Sequence, residues 1–117
     1  MKKSQIKTDR FSSVIREVTL KMENSEMEDS YKIIIDSLRE NPDAPEPQNL
    51  LGLWNEVNKN FDLARKHYRA AYALDPTYRP ATINLERVCS TLSGRNIPMN
   101  FGNMKIEEPK VSLIEQF

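Results

Sequence analysis

Apolar residues recur at steps of three and four along most of this chain. Phe11, Val14, Ile15, Val18 and Met22 form one such series, and Met27, Ile34 and Leu38 form a second. Leu50, Leu51, Leu53, Trp54 and Val57 make a third, and Phe61, Ala64, Tyr68, Ala71 and Leu74 a fourth. This is the period of an α-helix with one buried face, and not the alternation of a strand. Ser25-x-x-Glu28 and Asp43-Ala44-Pro45-Glu46 read as capped helix starts, with Asp43 and Glu46 as a capping box around proline in the first turn. Asn58-Lys59-Asn60 reads as a turn, and Asp75-Pro76 ends a helix because proline disfavours helical geometry in the residue before it. Pro80 opens a fifth helix that stops near Gly94. The pattern predicts five helices near residues 10–23, 26–40, 44–57, 60–74 and 79–92, an all-α domain over residues 9–93 between an N-terminal arm (1–8) and a C-terminal tail or docking segment (94–117).

The series also repeat. A shift of 34 residues places Pro42 on Pro76, Leu38 on Tyr72, Ser37 on Ala71, Ile34 on Tyr68, Ser30 on Ala64 and Leu51 on Leu85. A fixed period of this length marks stacked two-helix units. Leu51-Gly52, then Ala64-x3-Tyr68, then Pro76 resembles the tetratricopeptide repeat, whose pattern runs Trp-x2-Leu-Gly-x2-Tyr, Ala-x3-Phe, Pro. Phe61-Asp62 and Ala71 fit the same pattern, whereas Gln48 stands in the tryptophan slot and Asn55 in the tyrosine slot. Trp54 lies one residue before that slot and is positioned to supply the missing bulk from another direction.

The resemblance implies antiparallel helix pairs stacked as a short right-handed superhelix of about two and a half repeats. In such an array the first helix of each unit lines the concave side. Alignment places Ile15, Arg16, Thr19 and Met22 there in the first unit, Asn49, Leu50, Leu53, Glu56 and Val57 in the second, and Ile83, Asn84, Arg87 and Thr91 in the third. The family's clamp for a terminal carboxylate would fall on Ile15, Thr19, Leu50, Pro80 and Asn84, of which only Asn84 suits it. That clamp is not expected here.

Composition narrows the function. The chain has 117 residues, 38% of them hydrophobic and 29% charged, which suits one folded domain. Lys and Arg total 17, as do Asp and Glu. This balance gives no electrostatic reason to bind nucleic acid or an anionic membrane, and Lys2, Lys3, Lys7 and Arg10 form the one basic cluster. No apolar run approaches the length of a membrane helix, no signal-peptide core follows Met1-Lys2-Lys3, and Cys89 alone makes no internal disulfide; the expectation is the cytoplasm.

No phosphate loop, Cys-x-x-Cys or paired-histidine motif occurs, so no catalytic residue, metal ligand or cofactor is assigned. His67 is read as an exposed surface side chain and Cys89 as a small buried thiol facing the helix pair. Leu50, Leu53 and Val57 form an apolar stripe on the expected concave face; either it awaits a partner or the chain's own tail covers it. Ile97, Met99, Phe101, Met104, Ile106, Val111, Leu113, Ile114 and Phe117 give that tail an unusual number of apolar groups, and residues 111–117 are expected to reach the groove of this or another copy.

The functional expectation is a protein–protein interaction adaptor that binds a partner polypeptide through Asn49, Leu50, Leu53, Val57, Asn84 and Arg87. The alternative is a self-assembling structural protein, a homodimer for example, whose last helix or C-terminal segment packs on another copy.

Overall fold

The computed structural model describes residues 3–90 and 97–103, with side chains from residue 10 onward; the expectation for residues 111–117 and the placement of Thr91 lie outside the described residues. Five helices account for nearly all of it: α1 (Lys3–Glu23), α2 (Met27–Glu40), α3 (Pro45–Val57), α4 (Phe61–Leu74) and α5 (Arg79–Cys89). Among the described residues there is no strand. Each helix packs on the next in sequence. α1 begins well ahead of the expected start near residue 10.

The boundaries themselves recur at the period seen in the sequence. α2 starts at Met27 and α4 at Phe61; α3 starts at Pro45 and α5 at Arg79; α1 ends at Glu23 and α3 at Val57. The turns repeat as well. Ser25 and Lys59 both have positive φ, 62° and 65°. Around the first, Ser25 N–H donates to Met22 O and Glu26 N–H to Lys21 O; around the second, Lys59 N–H donates to Glu56 O and Asn60 N–H to Asn55 O. This is the paired closure of a Schellman motif, which satisfies the last carbonyls of a helix through one left-handed residue.

Ser25 is therefore the stop of α1 and not the cap of α2, whose N-cap is Glu26 without a side-chain cap bond. Asp43 likewise does not cap α3. Ala44, in extended backbone, is the N-cap, and no side-chain bond is made there. Pro45 begins the helix one residue later than the capping-box reading requires, which moves Asp43 out of register with the free N–H groups.

Packing repeats with the same spacing. Ser30 and Ala64, then Ser37 and Ala71, are all buried where neighbouring helices meet. Ile34 and Tyr68 are fully buried in corresponding positions. Gly52 has a direct reason to be glycine: a Cβ there would fall 2.5 Å from Tyr68 Cδ1, so the α3 backbone is pressed against the tyrosine ring. Trp54 turns away from the vacant slot and toward α2, where its Nε1–H donates to Met27 O at 2.9 Å and its ring lies 4.8 Å from that of Tyr31. Its bulk thus fills the junction between the two hairpins. Asn55, in the tyrosine slot, is buried and turns its amide back to Leu51 O of its own helix.

α1 touches α3, and α3 touches α5, whereas α2 and α4 make no such contact with each other. The odd-numbered helices therefore form the inner layer. The core joins them through Phe11, Ile15, Val18 and Met22 of α1 and Leu50, Leu51 and Leu53 of α3, with Leu85 and Val88 of α5 packed alongside.

The close contacts at Gly52 and Ala71 generate a stability prediction. Gly52→Ala and Ala71→Leu each overpack a filled site and are expected to cost about 1–3 kcal/mol. Thermal unfolding reads this out, and an unchanged midpoint for either variant would show that its contact is not tight.

Candidate functional site

The inner layer carries polar side chains where a core would ordinarily be apolar. Asn49 of α3 and Asn84 of α5 are both fully buried. Burying an amide is costly unless its donors and acceptors find partners. Asn84 uses all of them. Its Nδ2 donates to Asn49 Oδ1 at 2.8 Å and to Asn100 O at 2.7 Å. Its Oδ1 accepts from Asn100 N–H at 2.9 Å and from Arg87 Nη1 at 2.9 Å. Asn49 Nδ2 adds a second bond to Asn100 O at 3.1 Å.

Asn100 belongs to residues 97–103, a non-helical segment that crosses the inner layer as a strap. Its main chain is what the helices hold. Asn84 takes both the N–H and the C=O of residue 100, and Arg87 Nη1 donates to Pro98 O at 2.9 Å. Met99 and Phe101, on either side of Asn100, pack against the hydrophobic core. The Asn100 side chain serves the strap itself, since its Oδ1 accepts Gly102 N–H at 2.9 Å in an Asx-type turn. Gly102 has φ 103°, which side-chain-bearing residues rarely adopt. A Cβ at Gly102 would also stand 2.5 Å from the Tyr78 hydroxyl and 3.2 Å from Ile15 Cδ1. The strap thus reaches from α5 across α3 to α1.

Beneath the strap lies a buried ionic group. Arg87 pairs with Glu56 in two bonds, Nε to Oε2 at 2.9 Å and Nη2 to Oε1 at 2.5 Å, and only 9% and 8% of the two side chains is exposed. Tyr68 of α4 donates its hydroxyl to Glu56 Oε1 at 2.6 Å. Burial pushes the Tyr68 pKa well up, and the Glu56 carboxylate adds to the shift as acceptor and as negative charge, so the phenol stays protonated. Burial also raises the pKa of Tyr78, assisted by the charge of Glu46.

The residues expected to meet a partner are thus distributed as follows. Asn49, Asn84 and Arg87 converge on the strap. Leu50 and Leu53 are fully buried in the core, so they do not form an exposed stripe; only Val57, at the end of α3, is open to solvent. In the first unit Ile15 and Met22 are buried, and Thr19 turns its hydroxyl to Ile15 O. The spacing of Leu50 and Leu53 could not separate a waiting surface from a covered one. The signal that distinguishes them is Met99 and Phe101 flanking Asn100, a short apolar segment after the last helix.

Two other expectations are corrected. Cys89 is exposed, because α5 ends there and no helix follows to cover that side among the described residues. His67 is half-buried, with Nδ1 2.9 Å from Gln48 Oε1, and burial lowers its pKa from 6.5. Gln48, in the family's tryptophan slot, leaves room for the imidazole to reach across to α3. Among the described residues no three His, Cys, Asp or Glu side chains gather as metal ligands, and no helix is long and apolar enough to cross a membrane.

Removing Arg87 strands a buried carboxylate. Arg87→Met is expected to cost about 3–5 kcal/mol, and adding Glu56→Gln should recover part of it by removing the charge while keeping an acceptor for Tyr68. Urea unfolding of the single and double variants checks this; a double variant no more stable than the single would count against the pairing. His67 predicts a pH dependence. Its folded pKa lies below the unfolded value, so the unfolded chain binds more protons between the two, and stability falls as pH drops below 6.5. The decline should be shallower in His67→Gln, measured as unfolding midpoints between pH 7.5 and 5.

No protein-family model matches the chain, and no curated protein or solved structure matches it.

Proposed function

We propose that this protein is an interaction adaptor of the tetratricopeptide kind. Its helix pairs form a short right-handed superhelix of about two and a half repeats, and its inner face binds an extended segment of a partner polypeptide. The reading is of a binding module and not of an enzyme. One observation carries it: Asn84 holds both the N–H and the C=O of residue 100, while Asn49 donates to that same carbonyl and Arg87 to the carbonyl of Pro98. Side-chain amides that grip a main chain in this way are indifferent to the side chains of the segment they hold. Specificity must then come from the flanking apolar seats, which here receive Met99 and Phe101. The 34-residue recurrence of helix boundaries, turns and small packing residues supports the repeat architecture.

The binding function is tested by panning a library of linear peptides on the full chain carrying Gly102→Val, which prevents the strap from seating. The same chain with Asn84→Ala added is the control, and thermal unfolding establishes that both fold. A shared motif enriched on the first and lost on the control is expected. No Asn84-dependent motif would overturn the adaptor reading.

A further inference from the structure

The strap is bound as a ligand would be. Its main-chain groups at residues 98 and 100 are held by side chains of α3 and α5, and its apolar side chains at 99 and 101 pack on the core. Residue 100 turns the chain through its own side chain, and residue 102 must be glycine both for its φ and for the space left by Tyr78 and Ile15. Each position therefore carries a stated requirement. Together they specify a segment that reads apolar, Asn, apolar, Gly.

The fit has one flaw. The Tyr78 hydroxyl is buried against the strap and, among the described residues, meets no hydrogen-bonding group. A buried hydroxyl without a partner weakens an interaction by roughly tenfold or more relative to one that is satisfied. A segment of the same pattern that also places an acceptor at Tyr78 would bind the groove better than the strap does.

The geometry points to residues 97–103 as a built-in pseudo-ligand, and to a partner that carries an exposed apolar–Asn–apolar–Gly segment and displaces it. This rests on the adaptor reading above and names the chemistry of the partner. Because the strap is covalently attached, it competes at an effective concentration on the order of millimolar. A partner engages the groove only by exceeding that competition, through the Tyr78 contact or through added contacts beyond the segment.

The test uses a fluorescent peptide with the sequence of residues 97–103, Ile-Pro-Met-Asn-Phe-Gly-Asn, and anisotropy as the readout. Three full-length proteins are compared: the native chain, Gly102→Val, and the double variant Met99→Ser/Phe101→Ser, which weakens the strap without a backbone clash. Either strap variant is expected to bind the peptide at least tenfold more tightly than the native chain. A peptide N-methylated at its asparagine loses the N–H given to Asn84 and should bind at least tenfold more weakly. A peptide with valine in place of glycine should not compete. Equal binding by the native chain and both variants, or indifference to N-methylation, would overturn the inference. The adaptor reading fails separately: an Asn84-dependent library motif without the Asn-x-Gly pattern leaves it standing and removes this inference alone.

Discussion

The Arg87 guanidinium is the constraint on which the end of this structure depends. α5 has no following helix among the described residues to hold it down, and it is the shortest of the five. Arg87 compensates by reaching in three directions: to Glu56 on α3, to Asn84 on its own helix, and to Pro98 on the strap. Glu56 in turn receives the Tyr68 hydroxyl from α4. One cation thus fixes α3, α4, α5 and the strap relative to one another. A flexible lysine would not replace it, because the planar fork is what allows two bonds to the carboxylate while a third nitrogen serves two carbonyl-type oxygens.

The polar network sets a condition on how the groove can open. While the strap is seated, Asn84 and Asn49 have their amide groups engaged, and buried amides so engaged are stable. Empty, the same groove would present them to a partly dry cleft beside Leu50 and Leu53. The strap is tolerated because it completes the network, and anything that replaces it must offer a main-chain N–H and C=O in the same places. The apolar contacts of Met99 and Phe101 are less demanding, since such seats accept residues of similar volume. The atoms that stabilise the seated strap are the same few that the proposed recognition would use.

Much of the fold was legible because the sequence states it twice. Helix spacing, Pro76, Ala64 and Tyr68 locate the elements, and the resemblance to the tetratricopeptide pattern implies one common side for Asn49, Asn84 and Arg87. The misreadings share a cause. Ser25 and Asp43 are residues that often cap helices, but which end of a helix a serine serves depends on whether its φ is positive, and nothing local dictates that. Cys89 stands 34 residues after the buried Asn55, yet an aligned slot is buried only where a following helix covers it, and none does so among the described residues. His67 depended on what faced it across the hairpin, namely Gln48. For Leu50 and Leu53 the spacing left a waiting stripe and a covered one equally open, because the covering segment has no helical period to announce it.

The bond between Asn49 and Asn100 spans 51 positions of the chain, whereas the helices otherwise contact near neighbours in the array. Repeat proteins built from neighbour contacts alone tend to lose their ends gradually, one unit at a time. A strap that touches α1, α3 and α5 together changes that statistical mechanics. Fraying of the last helix must release contacts at the first, so the array is expected to melt as one cooperative body, and closing this long loop is the step most burdened by chain entropy as the protein folds.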